Sequence, residues 1–440
     1  MKWMSAIAAT GLATALTAGA LASDPPAKIA LTGARIIPVV GEEIPNGTIV
    51  IEHGIITAIG GADIEIPFDA TEFDLTGKVL MPGMIDPHSA SGLDVSNENL
   101  PVGPFLDVYD AIDPSRLFFE ESLRDGVTTI HVIQANNTVI GAVSRVVRPI
   151  GLSVDEMTVM PDIALKLSTS PRSGFDRMMQ MATLREAFDR HEHYVSRLAE
   201  RKYEEQLRSQ NRTINVGPAE ARERGRSLVS LNEYDDQNRN LGRLLRGDLG
   251  AWIYAGTGLD VAAAIGLAQD LGILESSVFV LGSESHNAIN ELRETGRPVV
   301  LHPSLYQQRR DRRTGELVRV FIPKLFHDAG IPFALQTNPS ASLAERYLTY
   351  QAAICVREGL SREVALRSIT LSPAEMLGMG DELGSLEVGK RGNVVVMSGD
   401  PLDFSSWVEH VFIDGVHAYD RDRDFRLQEL LRQMNAGDGE

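Results

Sequence analysis

The chain has a single cysteine, Cys355, among its 440 residues, so an internal disulfide is excluded and any exported location must be tolerated without one. Cationic residues are also scarce: 42 Lys and Arg stand against 60 Asp and Glu, a formal charge of −18 at pH 7. Polyphosphate would repel such a surface, which argues against nucleic acid or an anionic membrane as partner. Beyond the N-terminal segment, no stretch reaches the ~18 uninterrupted apolar residues of a membrane-spanning helix. G-x-G-x-x-G and P-loop patterns for nucleotides are missing, as is a G-x-S-x-G elbow for Ser-His-Asp catalysis. No internal repeat or low-complexity tract stands out.

What is present begins with Met1 to Ala22, which carries Lys2, an apolar small-residue stretch from Ala6 to Leu21, and Ala20-Leu21-Ala22 ahead of Ser23. This is the pattern of a secretory signal, so cleavage near Ala22 and a periplasmic or secreted mature protein are expected. An uncleaved anchor is the other reading, but the segment is short and rich in Ala, Gly and Thr rather than Leu. The remaining length, with 43% hydrophobic residues, suffices for one large α/β barrel with a smaller appended domain.

Residues 28 to 80 hold short β-prone segments broken by Gly, Pro and Asn, and the alternation in TIVIEHGIITAI predicts a hairpin turning at His53-Gly54. The same style returns in GSLEVGKRGNVVVMSGDP and WVEHVFIDGVHAYD, followed by a charged helix. Between these ends, β-prone runs such as VTTIHVIQ, VFVLGS, RPVVLHPS and IPFALQTN alternate with helical patterns such as LDVAAAIGLAQDLG, as a β/α barrel requires. Residues 184 to about 247 break that rhythm with many charges and read as a long solvated helix plus a flexible insertion near the barrel mouth. Cys355 lies in the apolar helical stretch YLTYQAAICVREGL and reads as buried packing.

The run LMPGMIDPHSASGLD, residues 80 to 94, resembles the end of the first barrel strand in the amidohydrolase superfamily. SREVALRSITLSPAEMLGMGDELGSLEVGKRGNVVVMSGDPL resembles that family's closing helix, glycine turn and returning sandwich strands, and LKLSTSPRSGFDRMMQMATLREAF resembles the segment after strand four in the imidazolonepropionase-like branch. The resemblance covers nearly all of the mature chain. It implies a TIM-like β/α barrel over 81–383, a composite β-sandwich built from 23–80 and 384–424, and a C-terminal helix or tail over 425–440. It also implies, by descent, hydrolysis of C–N bonds other than peptide bonds, as in cyclic amides.

The family's metal ligands map unevenly onto this chain. His88 matches the first histidine of the strand-one His-x-His, but Ala90 stands at the second. Lys166 in ALKLS is the counterpart of a bridging carboxylated lysine. The resemblance puts Tyr254, in IYAGTGLDV, and Leu281, in VLGSES, at the histidines of strands five and six. Asn338, in LQTNPS, falls where the family has its catalytic, metal-binding aspartate. Ala and Leu offer no lone pair, Tyr and Asn are poor zinc ligands, and an amide cannot accept a proton as a base must. His88 and Lys166 alone fall short of the three protein ligands typical of a catalytic zinc. The expectation is therefore a degenerate member with no metal cofactor, binding a small-molecule ligand or an active paralogue. The alternative is a working amidohydrolase holding zinc or another divalent metal in a site rearranged around His88, Lys166 and His302. A homodimer is a fair expectation from the family.

Other polar residues have two readings each. Tyr254, Glu284, His286 and His302, together with Ser283, follow strands five to seven, so they could line a pocket at the barrel's C-terminal face or merely cap and hydrogen-bond there. His131, within TIHVIQ, could point inward or outward. His191-Glu192-His193 imitates a His-x-His, but on a helix two residues diverge by about 200° and cannot share one metal.

Overall fold

The computed structural model describes residues 28–437 apart from 214, 311–312, 339–340 and 342. The segment read as a signal, including Ala22, lies outside the described residues. Strands Ile44–Glu52 and Ile55–Gly61 form the expected hairpin, with His53 and Gly54 both at positive φ, 52° and 79°. That two-residue turn matches the right-handed twist of the strands it joins.

The two ends of the chain meet in one eight-stranded sheet. At its centre Val394–Met397 runs antiparallel to Val79–Pro82, pairing Val394 with Pro82 and Met397 with Val79. Alternation then divides the side chains: Leu80, Val394 and Val396 enter the sandwich core with Ile29, Leu31, Ile49 and Phe412. Val79, Met81, Val395 and Met397 turn to the larger core shared with the barrel. A strand buried on both faces needs an unbroken apolar run, which is why 394–397 reads VVVM.

The barrel strands, in chain order, are Met84–Ser89, Val127–Val132, Ala164–Ser168, Gly250–Thr257, Ser277–Glu284, Val299–Val300 and Phe333–Ala334. Each parallel pair from Ala164–Ser168 onward is hydrogen-bonded in sequence. One departure from the repeating β/α expectation lies between the second and third of these. There the segment 140–147 runs antiparallel to both, Ile140–Val143 against Ala164–Ser168 and Arg145–Val147 against Val127–Val132. The last strand meets the first across Ser368 and Ile369, whose carbonyls accept from Leu335 N and Ile85 N, while the Thr337 hydroxyl donates to Asp86.

The charged excursion differs from its expected form. Its helix starts earlier, at Arg177, and runs to Ser209, capped by Asp176, whose side chain accepts from Met179 N. Gln180 near its start donates to the carbonyls of Thr138 and Ser168, anchoring it over the strand ends. Beyond Ser209 the chain is folded rather than loose: Leu198, Ala199, Val229 and Tyr234 make one small core, and Tyr203, Leu207 and Ala221 another. Helix Asp236–Arg246 returns Leu241 and Leu244 to the main core. A mostly polar sequence still orders here because a few apolar residues at helical spacing find partners. Cys355 is buried, and burial pushes its thiol up to about 12. Among the described residues no helix is long and apolar enough to cross a membrane.

Candidate functional site

The first barrel strand, whose ladder shifts register between Asp86 and Ser89, and the strand Ala164–Ser168 bring His88 and Lys166 together inside the barrel mouth. Lys166 Nζ lies 2.8 Å from His88 Nε2 and donates to Asn136 Oδ1 at 2.6 Å. His88 Nδ1 lies 2.9 Å from Gln336 Oε1, and Gln336 Nε2 donates to the Leu301 carbonyl at 2.8 Å. That second bond fixes the amide, so its oxygen faces the ring and must accept from Nδ1–H. His88 therefore presents its Nε2 lone pair, the one a metal would use, and Lys166 covers it.

The electrostatics follow from burial. Lys166 is fully buried, and desolvation lowers its pKa to about 7. Among the described residues its polar partners are an imidazole and an amide, with no carboxylate to restore the charge. The Tyr254 ring stands under Nζ at 5.8 Å from its centroid. Burial first, then the Lys166 charge, hold His88 well below its ordinary pKa. Asp86, two residues earlier on the strand, is pushed up to about 6 by burial despite the bond from Thr337.

His131 points inward, against Trp252 at 4.3 Å between ring centroids. Its Nδ1 lies 2.8 Å from the Pro87 carbonyl and its Nε2 2.7 Å from Ser144 Oγ. Burial lowers its pKa to about 3, so it is neutral, donating to Pro87 through Nδ1–H, with Nε2 against the Ser144 hydroxyl, which also reaches the Ala164 carbonyl. Both nitrogens are used within the wall, and His131 is structural. His191 is buried on its helix with Nδ1 3.0 Å from Asn238 Oδ1, while His193 is exposed, so the two do diverge.

The remaining expected residues scatter. His286 and His302 share a small pocket with Ser283, Ser304, Leu301 and Phe326, away from Lys166; His302 Nδ1 accepts from Ser304 N at 3.1 Å. Glu284 is exposed at the end of its strand. Asn338 donates from its amide to Glu345 Oε2 at 3.3 Å, and the same carboxylate accepts from Ser304. Ala90 follows the first strand, half-buried.

Leu281 requires a correction. The resemblance put it at a ligand position, yet its side chain packs in the outer layer with Phe279, Leu301, Ile322 and Phe326. The alternate residues Val278 and Val280 face the interior with Trp252, Tyr254 and Val300. Parity along a strand decides this, since a one-residue offset moves a side chain to the opposite face. Sequence reasoning also missed Asn136, Gln336 and Glu345. Gln336 had a readable signal: it stands two residues before Asn338, just after the strand Phe333–Ala334.

A divalent metal is the group this fold implies, and the donors around His88 do not fit one. They amount to one imidazole lone pair already engaged by an amine. Among the described residues, the three-membered His and carboxylate group that could hold an ion lies elsewhere, at His410, His417 and Asp420.

Comparisons with known proteins agree with this architecture. A profile of the amidohydrolase family matches residues 319–419. The amidohydrolase tasK of Hapsidospora irregularis is 24% identical over 408 residues, covering 85% of this chain and 40% of that protein. An imidazolonepropionase of Bacteroides fragilis is 37% identical over 75 residues, 17% of this chain and 18% of the enzyme. The chain thus spans well under two thirds of these relatives' length. A crystal structure of an amidohydrolase from Thermotoga maritima superposes with a TM-score of 0.73 at 26% identity, covering 89% of this chain and all of that one.

Proposed function

From the premise that this chain belongs to the amidohydrolase superfamily, on its imidazolonepropionase-like branch, we propose that it keeps the frame of a hydrolase of C–N bonds other than peptide bonds while its barrel mouth binds a small molecule without metal-hydrolase chemistry. The observation that carries this reading is the Lys166 amine 2.8 Å from His88 Nε2. This amine, held covalently by the chain, covers the lone pair where a Lewis acid would have to bind, and the resemblance puts an amide, Asn338, where the family has its base. In this reading the protein is exported after cleavage near Ala22 and acts as a ligand-binding or paralogue-binding relative of active enzymes.

A second reading, a working amidohydrolase with a rearranged site, draws on the same lysine: a buried amine with a pKa of about 7 is matched to proton transfer near neutral pH. One experiment separates the two. Mature wild type, His88→Ala and Lys166→Met are assayed against a panel of cyclic amides, and the metal content of wild type and His88→Ala is compared. The binding reading expects no turnover and equal metal in both proteins. Turnover lost in Lys166→Met, or metal lost in His88→Ala, would support the rearranged enzyme instead.

A further inference from the structure

The outer hairpin of the sandwich, Val408–Ile413 and Val416–Asp420, carries two histidines that play no part in the barrel. His410 stands opposite Asp420 across this pair. In a regular strand His417 and Asp420, three residues apart, would face opposite sides. They do not, because the ladder holds a bulge: Val411 pairs with Tyr419, but the next residue, Phe412, pairs with His417. The extra residue reverses parity and brings His417 to the face that holds His410 and Asp420.

The geometry points to a transition-metal site formed by His410 Nδ1, His417 Nε2 and Asp420 Oδ1, of the class that binds zinc. His417 Nε2 lies 3.2 Å from His410 Nδ1, and His410 Nδ1 lies 3.7 Å from Asp420 Oδ1. All three donor atoms fall within 4.8 Å of one another. Ligand atoms ~2.0–2.1 Å from a tetrahedral zinc stand roughly 3.3 Å apart, so the spacing needs only small adjustment. Two imidazoles and one carboxylate suit zinc and its neighbours in the series better than magnesium or calcium, which prefer oxygen donors.

The surroundings hold the donors in place. The His417 ring stacks on Phe412 at 4.8 Å and 17° and meets the edge of Phe73 at 5.2 Å. Asp420 Oδ2 pairs with Arg423 Nε at 3.2 Å, and Oδ1 accepts from Asp422 N at 3.0 Å with a lone pair to spare. Ring and carboxylate are thus oriented without a metal, as partners around a ligand set usually do. All three residues are only half-buried, so an ion can enter from solvent and keep water in a fourth position. Bound to the folded hairpin, it would tie these two strands together and raise stability by mass action.

The test uses untagged, chelator-stripped mature protein titrated with zinc chloride by calorimetry, alongside His417→Phe, Asp420→Asn and His88→Ala. His417→Phe keeps a ring to stack on Phe412, and circular dichroism checks that each variant is folded. One zinc per chain is expected for wild type and His88→Ala, with affinity falling at least ten-fold in His417→Phe and in Asp420→Asn. No zinc uptake by wild type, equal uptake by the hairpin variants, or loss confined to His88→Ala would overturn the site. The outcome is independent of the proposed barrel function, because His88→Ala reports on the barrel alone.

Discussion

Two histidine clusters, one inside the barrel mouth and one on the outer hairpin, differ in what faces the imidazole. In the barrel, His88 offers its lone pair to an ammonium or amine, in full burial, and among the described residues no carboxylate bonds that amine. On the hairpin, His410 and His417 turn nitrogens toward each other and toward Asp420, half in solvent. The family resemblance directs attention to the first, yet the donor chemistry of a metal site is found in the second. A fold preserves the position of a site more readily than its charge pattern, because strand ends stay at the mouth whatever side chains they carry.

The most drastic way to break the comparison removes the hairpin altogether. Ending the chain at Gly384 deletes Val394–Met397, which is buried on both faces and paired with Val79–Pro82. The exposed apolar faces of the N-terminal strands should make the product insoluble. A soluble barrel with native circular dichroism would show that barrel and sandwich stand independently.

Leu281 tests whether the barrel lost a ligand at that position or never had the side chain in its mouth. Leu281→His would bury an imidazole among Phe279, Leu301 and Phe326, costing ~2–5 kcal/mol in urea unfolding, with no gain in zinc affinity. A gain would place residue 281 inside the mouth after all.

The covering cation should leave a mark on stability against pH. The Lys166 pKa is depressed to about 7 in the folded chain, against about 10.4 unfolded. Between those values the unfolded state binds more protons, so wild-type stability should rise with pH relative to Lys166→Met. Below about pH 7 the penalty of the buried charge is fully present and the two curves should run parallel, with wild type lower. The change across the window is expected to be on the order of a few kcal/mol. Parallel curves from pH 7 to 10 would mean that Lys166 keeps its proton.

The smallest effect sharpens the comparison by copying one cluster onto the other. Ala90→His with Lys166→Glu gives the barrel two imidazoles and a carboxylate, the donor set of the hairpin. In a His417→Phe background, so that only the barrel reports, zinc affinity should rise at least ten-fold, about 1.4 kcal/mol. A folded variant with no gain would show that side chains at positions 88, 90 and 166 do not converge on a common centre.

The sequence by itself determined whatever rests on neighbours along the chain. The turn at His53-Gly54, the apolar run 394–397, the burial of Cys355 and the family signature around Asp86 and His88 all follow from local pattern. His88 and Lys166 could be singled out because their strands are recognisable. Only the tertiary structure decided which face a strand residue shows and what it meets there. The antiparallel segment 140–147, the outward turn of Leu281, the amine of Lys166 on the His88 lone pair and the bulge that gathers His410, His417 and Asp420 each depend on pairing between strands distant in sequence or on a ladder irregularity. Alternation is a local rule, but register is fixed by the partner strand, and one extra residue reverses every side chain beyond it.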